Sequence, residues 1–156
     1  MSLPILLIYA AAVCLRAASS GLASVRDARV REIPNGCCVA IALAAVLIAC
    51  ARAEADAAPR LVASPLCLAF GVGVLLVGVV IELAFRAVAG RAGLGLGDVK
   101  YVAAWAAVLG PASVFALAVA CFAGAMFALV RGERTFAFAP WLTGAFALAL
   151  VWALAL

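Results

Sequence analysis

Long apolar runs separated by short clusters of charge pattern this chain, and a helix needs roughly 20 apolar residues to cross a bilayer. The runs predict spans over Leu3–Val25, Ile33–Ala51, Leu61–Phe85, Asp98–Leu109, Ala112–Val130 and Phe138–Leu156. The fourth and fifth share one uncharged stretch of thirty residues, Tyr101 to Val130. At 1.5 Å per residue that is about 45 Å of helix against a hydrocarbon core of about 30 Å, too long for one upright span and too short for two full ones. Gly110-Pro111 falls inside it. Proline lacks the backbone donor and breaks or kinks a helix, so a turn there predicts a short fourth helix and a normal fifth.

The charges between the runs choose between five and six spans. With six spans and the N-terminus outside, Arg26, Arg29, Arg31, Arg86, Arg91, Lys100, Arg131 and Arg134 are cytoplasmic, eight against Arg52 and Arg60 outside. With five spans the last two of these move out and the balance falls to six against four, so the positive-inside rule prefers six spans with both termini outside. Arg16 stays out of this count: it lies within the first span and is expected to snorkel toward the cytoplasmic interface. The same topology puts the segments around residues 27 and 98 on one membrane face.

Composition excludes a soluble protein. Hydrophobic residues make up 71% of the 156 and charged residues 12%, where soluble domains carry about 25% charged; the mean hydropathy is +1.32. The expected architecture is an all-α, polytopic transmembrane helix bundle, with residues 1–156 forming a single membrane-embedded domain and nothing left for a soluble one. The start, MSLPILLIYAAAVCL, lacks the basic region of a secretory signal and is read as the first transmembrane helix. The lipid bilayer is thus the first expected partner, and no nucleic acid is expected. Six cysteines (Cys14, Cys37, Cys38, Cys50, Cys67, Cys121) form no CxxC pair and the chain has no histidine. A structural zinc site needs four clustered ligands, so neither a metal nor a cofactor is expected, and each cysteine is read as a small buried hydrophobe. Gly71, Gly73 and Gly78 are read as sites of close helix packing.

Asp98 is the first candidate for chemistry. It stands in Gly95-Leu96-Gly97-Asp98-Val99-Lys100, at the mouth of the uncharged stretch, where a carboxylate at a helix centre would cost roughly 2.5–3.5 kcal/mol on insertion scales and less near an interface. The second is Asp27, in Asp27-Ala28-Arg29-Val30-Arg31-Glu32-Ile33-Pro34-Asn35, where the first helix gives way to the second. Pro34 suits the first turn of that second helix, where its missing N–H costs nothing. Other acids have simpler roles: Glu54 and Asp56 belong to an outer loop, Glu32 and Glu133 lie among arginines, and Glu82 has Arg86 four residues on, the spacing of a helix-face ion pair.

Two carboxylates at one membrane face form an acid/base pair. Repulsion and desolvation keep one protonated while the other ionises. The ionised one takes a proton from attacking water and the protonated one donates to the carbonyl oxygen, which is aspartic-protease chemistry from a pair that titrates as a unit. Gly95 and Gly97 allow a substrate backbone or a partner helix to come close. The same GxGD string equally suits an ordinary interfacial turn with Asp98 as a helix N-cap, and Asp27 a solvated loop position.

Together the two segments resemble the type IV prepilin peptidase family, in its short, peptidase-only form found with tight-adherence (Flp-type) pilus systems. That family has an aspartate six residues before Ile-Pro-Asn amid basic residues, as Asp27 stands before Ile33, Pro34 and Asn35, and a GxGDVK motif opening a helix that often meets a Gly-Pro break, as in Gly95, Gly97, Asp98, Val99, Lys100 and Gly110-Pro111. Phe138-Ala139-Pro140-Trp141-Leu142 is similar to the start of the family's last helix. The resemblance implies a membrane-embedded aspartic endopeptidase of the bacterial inner membrane. It would cut the leader from prepilins or pseudopilins at the cytoplasmic face, with Asp27 and Asp98 as catalytic dyad, Gly95, Gly97, Lys100, Ile33, Pro34 and Asn35 supporting them, and no metal. Lys100 and the nearby arginines either tune the dyad or fix orientation, the latter being favoured.

Bifunctional members carry a further N-terminal section with paired CxxC motifs and methylate the new N-terminus; nothing in this sequence corresponds, so cleavage without methylation is expected. Three alternatives stay open: a catalytically silent pilus-assembly scaffold, a small proton-coupled transporter using Asp98 alone, and a relative of presenilin and signal peptide peptidase. The last share GxGD but pair it with a Tyr-Asp, where this chain has Arg26-Asp27.

Overall fold

Helix ends are set where the backbone can no longer be satisfied inside the helix, and in this chain they fall close to the hydropathy breaks. The computed structural model describes residues 2–54, 63–91, 93, 95–132 and 136–155. Six helices carry the regular structure of those residues: α1 Leu3–Val30, α2 Asn35–Glu54, α3 Pro65–Ala89, α4 Leu96–Leu109, α5 Ala112–Arg131 and α6 Ala139–Ala155. The predicted all-α architecture with six helices is the one found. By length and composition α1, α3 and α5 can cross a membrane, and Asn35–Ala51 and Ala139–Ala153 are shorter apolar helices.

Several boundaries differ from the expected ones for reasons of backbone chemistry. α1 runs five residues past Val25, because main-chain hydrogen bonds continue through charged residues; it stops at Arg31, whose φ of 57° is left-handed and whose N–H reaches the Asp27 carbonyl at 2.9 Å. Pro34 stands just outside α2 rather than in its first turn, and its carbonyl accepts the Cys37 N–H at 3.0 Å. α3 begins at Pro65, behind Ser64, whose hydroxyl accepts the Cys67 N–H at 3.2 Å; the expected start at Leu61 lies outside the described residues, as do Asp56, Arg60, Glu133, Arg134 and the expected last residue Leu156. α4 opens two residues before Asp98, with Gly95 as its N-cap. The expected break at Gly110-Pro111 is present: Gly110 has φ 57° and ψ −140°, and α5 follows at once.

The short helix is the centre of the bundle. Val99 and every residue of α4 from Tyr101 to Leu109 are buried, because α2, α3, α5 and α6 all pack on it. Fourteen residues make about 21 Å, less than the hydrocarbon thickness, so α4 lives among other helices rather than against lipid. Trp105 stacks on Phe146 of α6 with centroids 5.4 Å apart. Gly71 brings α3 close to α4, since a Cβ there would lie 2.7 Å from the Ala107 backbone nitrogen, and at Gly78 one would lie 2.6 Å from Val99. These two fit the packing role expected of them. Gly73 faces open space, so the packing role does not extend to it.

The outer surfaces of α1, α3 and α5 carry exposed Leu, Val, Ile and Phe, among them Phe115, Phe122 and Leu129. Here lipid replaces water as the solvent of the outer face. Cys14, Cys50 and Cys121 also face outward, contrary to the expectation that all six cysteines are buried; Cys37, Cys38 and Cys67 are buried.

Arg16 corrects another expectation. It lies near the middle of α1, about 20 Å from either end at 1.5 Å per residue, beyond the reach of snorkelling. Instead it is 7% exposed and its guanidinium sits 5.4 Å over the Trp105 ring, a cation–π contact that replaces water for a buried cation. Glu82 and Arg86 form the expected pair, Arg86 Nε donating to Glu82 Oε1 at 2.7 Å. The carboxylate does more: it also accepts the Gly93 N–H at 3.3 Å, tying the loop that leads to Asp98 onto α3.

Candidate active site

Asp27 faces inward from the last turns of α1 and is 6% exposed. One of its oxygens, Oδ2, accepts the Ala139 N–H at 2.9 Å. Ala139 is the first residue of α6, and the first N–H groups of a helix have no partner within it. Pro140 has no N–H of its own, so Asp27 in α1 caps a helix 112 residues further along the chain. Sequence alone gives no sign of this pairing, which depends on how α1 and α6 meet.

Asp98 is the third residue of α4, one turn past a glycine N-cap that makes no side-chain capping bond. It is therefore not the cap of its helix. Its carboxylate has no hydrogen bond among the described residues, in contrast to that of Asp27. The two aspartates line one cavity of about 280 Å³, together with Arg31, Glu32, Ile33, Asn35, Gly95 and Gly97. Since one water takes roughly 30 Å³ in the liquid, the cavity has room for a nucleophilic water beside other groups.

Gly95 and Gly97 hold the wall in different ways. At Gly95 the backbone has φ 80°, in the half of conformational space that residues with a Cβ avoid. At Gly97 a Cβ would meet Ile33 Cβ at 3.6 Å, ordinary van der Waals contact, so the α1–α2 connection lies directly against α4. Lys100 does not line the cavity; its ammonium donates to Asn35 Oδ1 at 3.0 Å and fastens the start of α4 to the start of α2. Pro34 likewise acts at one remove, through its carbonyl at the head of α2.

Arg31, expected to set orientation, and Glu32, expected only to lie among arginines, both line the cavity. Their position between Asp27 and Ile33 is the signal in the sequence, because a connection that returns across a site must expose its own residues there. Three further residues lie one helical turn deeper. Ser24 and Thr143 hydroxyls are 2.7 Å apart, and Tyr101 and Thr143 hydroxyls are 2.5 Å apart. Nothing in the sequence joins these three, which come from α1, α4 and α6. Among the described residues no three His, Cys, Asp or Glu side chains gather as metal ligands would.

Comparison with curated proteins and with solved structures gives no match. A sequence model of the type IV leader peptidase family, however, matches residues 5–129, which takes in nearly all of α1, the whole of α2 to α4, most of α5 and both aspartates. The apolar helices and this match together make the chain an integral membrane protein with a leader-peptidase type of function, acting on prepilins. The chain belongs to the type IV leader peptidase family.

Proposed function

We propose that this chain is an aspartic endopeptidase whose dyad is Asp27 and Asp98, removing the leader from Flp-type prepilins or pseudopilins at the cytoplasmic face of the bacterial inner membrane. The observation that carries the proposal is that one cavity is lined by both carboxylates, although they stand 71 positions apart in the chain. Two carboxylates facing one cavity divide the acid and base roles, because full ionisation would leave like charges in one site. The ionised member takes a proton from water as its oxygen attacks the scissile carbonyl carbon. Its protonated partner gives a proton to the carbonyl oxygen, and the tetrahedral intermediate then collapses with the C–N bond breaking and the amine leaving protonated.

Gly95, Gly97, Ile33 and Asn35 form the wall against which an extended leader backbone lies, with Lys100 and Pro34 fixing that wall from outside. Arg31 and Glu32 add opposite charges at the cavity. The cytoplasmic placement is supported by the basic residues at this end of the bundle: Arg26, Arg29 and Arg31 at the end of α1, Arg86 and Arg91 near that of α3, Lys100 in α4 and Arg131 at the end of α5. Cleavage without N-methylation is supported by the lack of any CxxC motif in these 156 residues.

Co-expression with a candidate prepilin tests the proposal. Asp27→Asn and Asp98→Asn are each expected to abolish leader removal while the protein still inserts in the membrane. Cleavage that survives either change would refute the dyad, and N-methylated product formed by this chain alone would refute the second part.

A further inference from the structure

The helices that carry the two aspartates meet through side chains, Arg16 of α1 over Trp105 of α4, and not backbone to backbone. α1 packs on α2 and α6, and α4 on α2, α3, α5 and α6, while α1 and α4 share no close backbone contact. At the end of the helices where Asp27 and Asp98 stand, eleven residues from Arg16, their separation is therefore set by what bridges the gap. On one side Lys100 is joined to Asn35. On the other, α6 stands between the two helices and bonds to both.

That second bridge is a chain of hydroxyls. Tyr101 OH meets Thr143 Oγ1, Thr143 Oγ1 meets Ser24 Oγ, and Ser24 Oγ donates to the Ser20 carbonyl at 2.9 Å. Each hydroxyl has one proton to give. Ser24 spends its proton on Ser20, so Thr143 must donate to Ser24; Thr143 then has none left, so Tyr101 must donate to Thr143. The direction of the whole chain follows from that single carbonyl. Every member also sits one turn from a residue of the candidate site on its own helix: Ser24 three before Asp27, Tyr101 three after Asp98, and Thr143 four after Ala139, the donor to Asp27. Residues three and four apart share a helix face. Tyr101 is fully buried, so no solvent competes for its bond.

We propose that Tyr101, Thr143 and Ser24 are positioning residues for the aspartate pair, holding α4, α6 and α1 in the register that keeps Asp98 and Asp27 facing one substrate bond. The inference rests on the peptidase reading of the dyad. Because a displacement of about 1 Å at a reacting centre can cost on the order of 100-fold in rate, cutting this bridge should act on turnover rather than on substrate binding.

The test compares Tyr101→Phe, Thr143→Val, Thr143→Ser and Ser24→Ala in a prepilin cleavage assay with the full-length protein in lipid or detergent. Thr143→Val removes both links and is expected to lower kcat by about 10- to 100-fold with KM within about twofold. Thr143→Ser keeps the hydroxyl and is expected to restore kcat to within about threefold. Tyr101→Phe, which loses one oxygen and little volume, should share the defect, and the double variant Tyr101→Phe/Thr143→Val should be no slower than Thr143→Val, since one chain is already cut. If the carboxylates have drifted apart their coupling weakens, so the bell-shaped pH profile of kcat should also narrow. Wild-type kcat and pH profile in both Tyr101→Phe and Thr143→Val, whatever happens to thermal stability, would overturn the proposal. Should Asp27→Asn or Asp98→Asn still cleave, the dyad itself fails, which these hydroxyl variants do not decide.

Discussion

Asp27 does two jobs that can be separated by choice of substitution. It belongs to the candidate dyad, and its Oδ2 satisfies the Ala139 N–H at the head of α6. Asp27→Ala deletes both. Losing a helix N-cap costs about 0.5–2 kcal/mol, and an unpaired buried donor about 1–3 kcal/mol; Ala139 is wholly buried, so water cannot take over. These are two descriptions of one loss, and together they put Asp27→Ala at about 1–2 kcal/mol. Asp27→Asn keeps an acceptor oxygen of the same shape and should stay within about 0.5 kcal/mol of wild type. Asp98 has no such bond to lose, so Asp98→Ala and Asp98→Asn should both stay within about 0.5 kcal/mol. At about 2–4 °C per kcal/mol for a chain of this size, only Asp27→Ala should melt clearly lower, by about 2–8 °C. Thermal unfolding of the purified variants in detergent, followed by circular dichroism, reads the stability, and a cleavage assay on the same samples should find all four inactive. The reasoning is refuted if Asp27→Ala melts with wild type, or if Asp27→Asn is as unstable as Asp27→Ala.

Three further expectations come from the geometry. Gly71→Ala drives a Cβ to within 2.7 Å of the Ala107 backbone and should cost about 1–3 kcal/mol by overpacking, whereas Gly73→Ala meets open space and should be neutral in the same unfolding measurement. Gly95→Ala forces a Cβ into the left-handed half of conformational space at the wall of the cavity and should cost about 1–2 kcal/mol together with a fall in kcat; Gly97→Ala, at ordinary contact distance from Ile33, should retain more activity than Gly95→Ala. The rate of leader cleavage should fall on both sides of a pH optimum, because protonating both aspartates removes the base and ionising both removes the acid; a rate that rises to a plateau with pH would point to a single carboxylate.

Much of this protein is legible from its sequence because the features concerned are local. Hydropathy marks an apolar helix wherever it folds, and Gly110-Pro111 must break one since proline cannot donate. Asp27 and Asp98 could be singled out in the same way, as carboxylates at the ends of apolar runs, within motifs that match one family. Boundaries are less legible: α1 continues through Arg26 and Arg29 to Val30 because the hydrogen bonds of a helix do not depend on the polarity of its side chains. Beyond the helix boundaries, the expectations that fail concern what a side chain faces. Arg16, expected toward the interface, lies over Trp105; Cys14, Cys50 and Cys121, expected inside, face outward; Arg31 and Glu32 line the cavity.

Only the tertiary structure could decide these, since a face is buried or exposed according to its neighbours. The bond from Ala139 to Asp27, the join between Lys100 and Asn35 and the hydroxyl chain through Thr143 all link residues 42 or more positions apart. No local pattern encodes such pairs. They follow from α2 and α6 each packing on both α1 and α4, which makes one cavity out of two aspartates whose own helices share no close backbone contact.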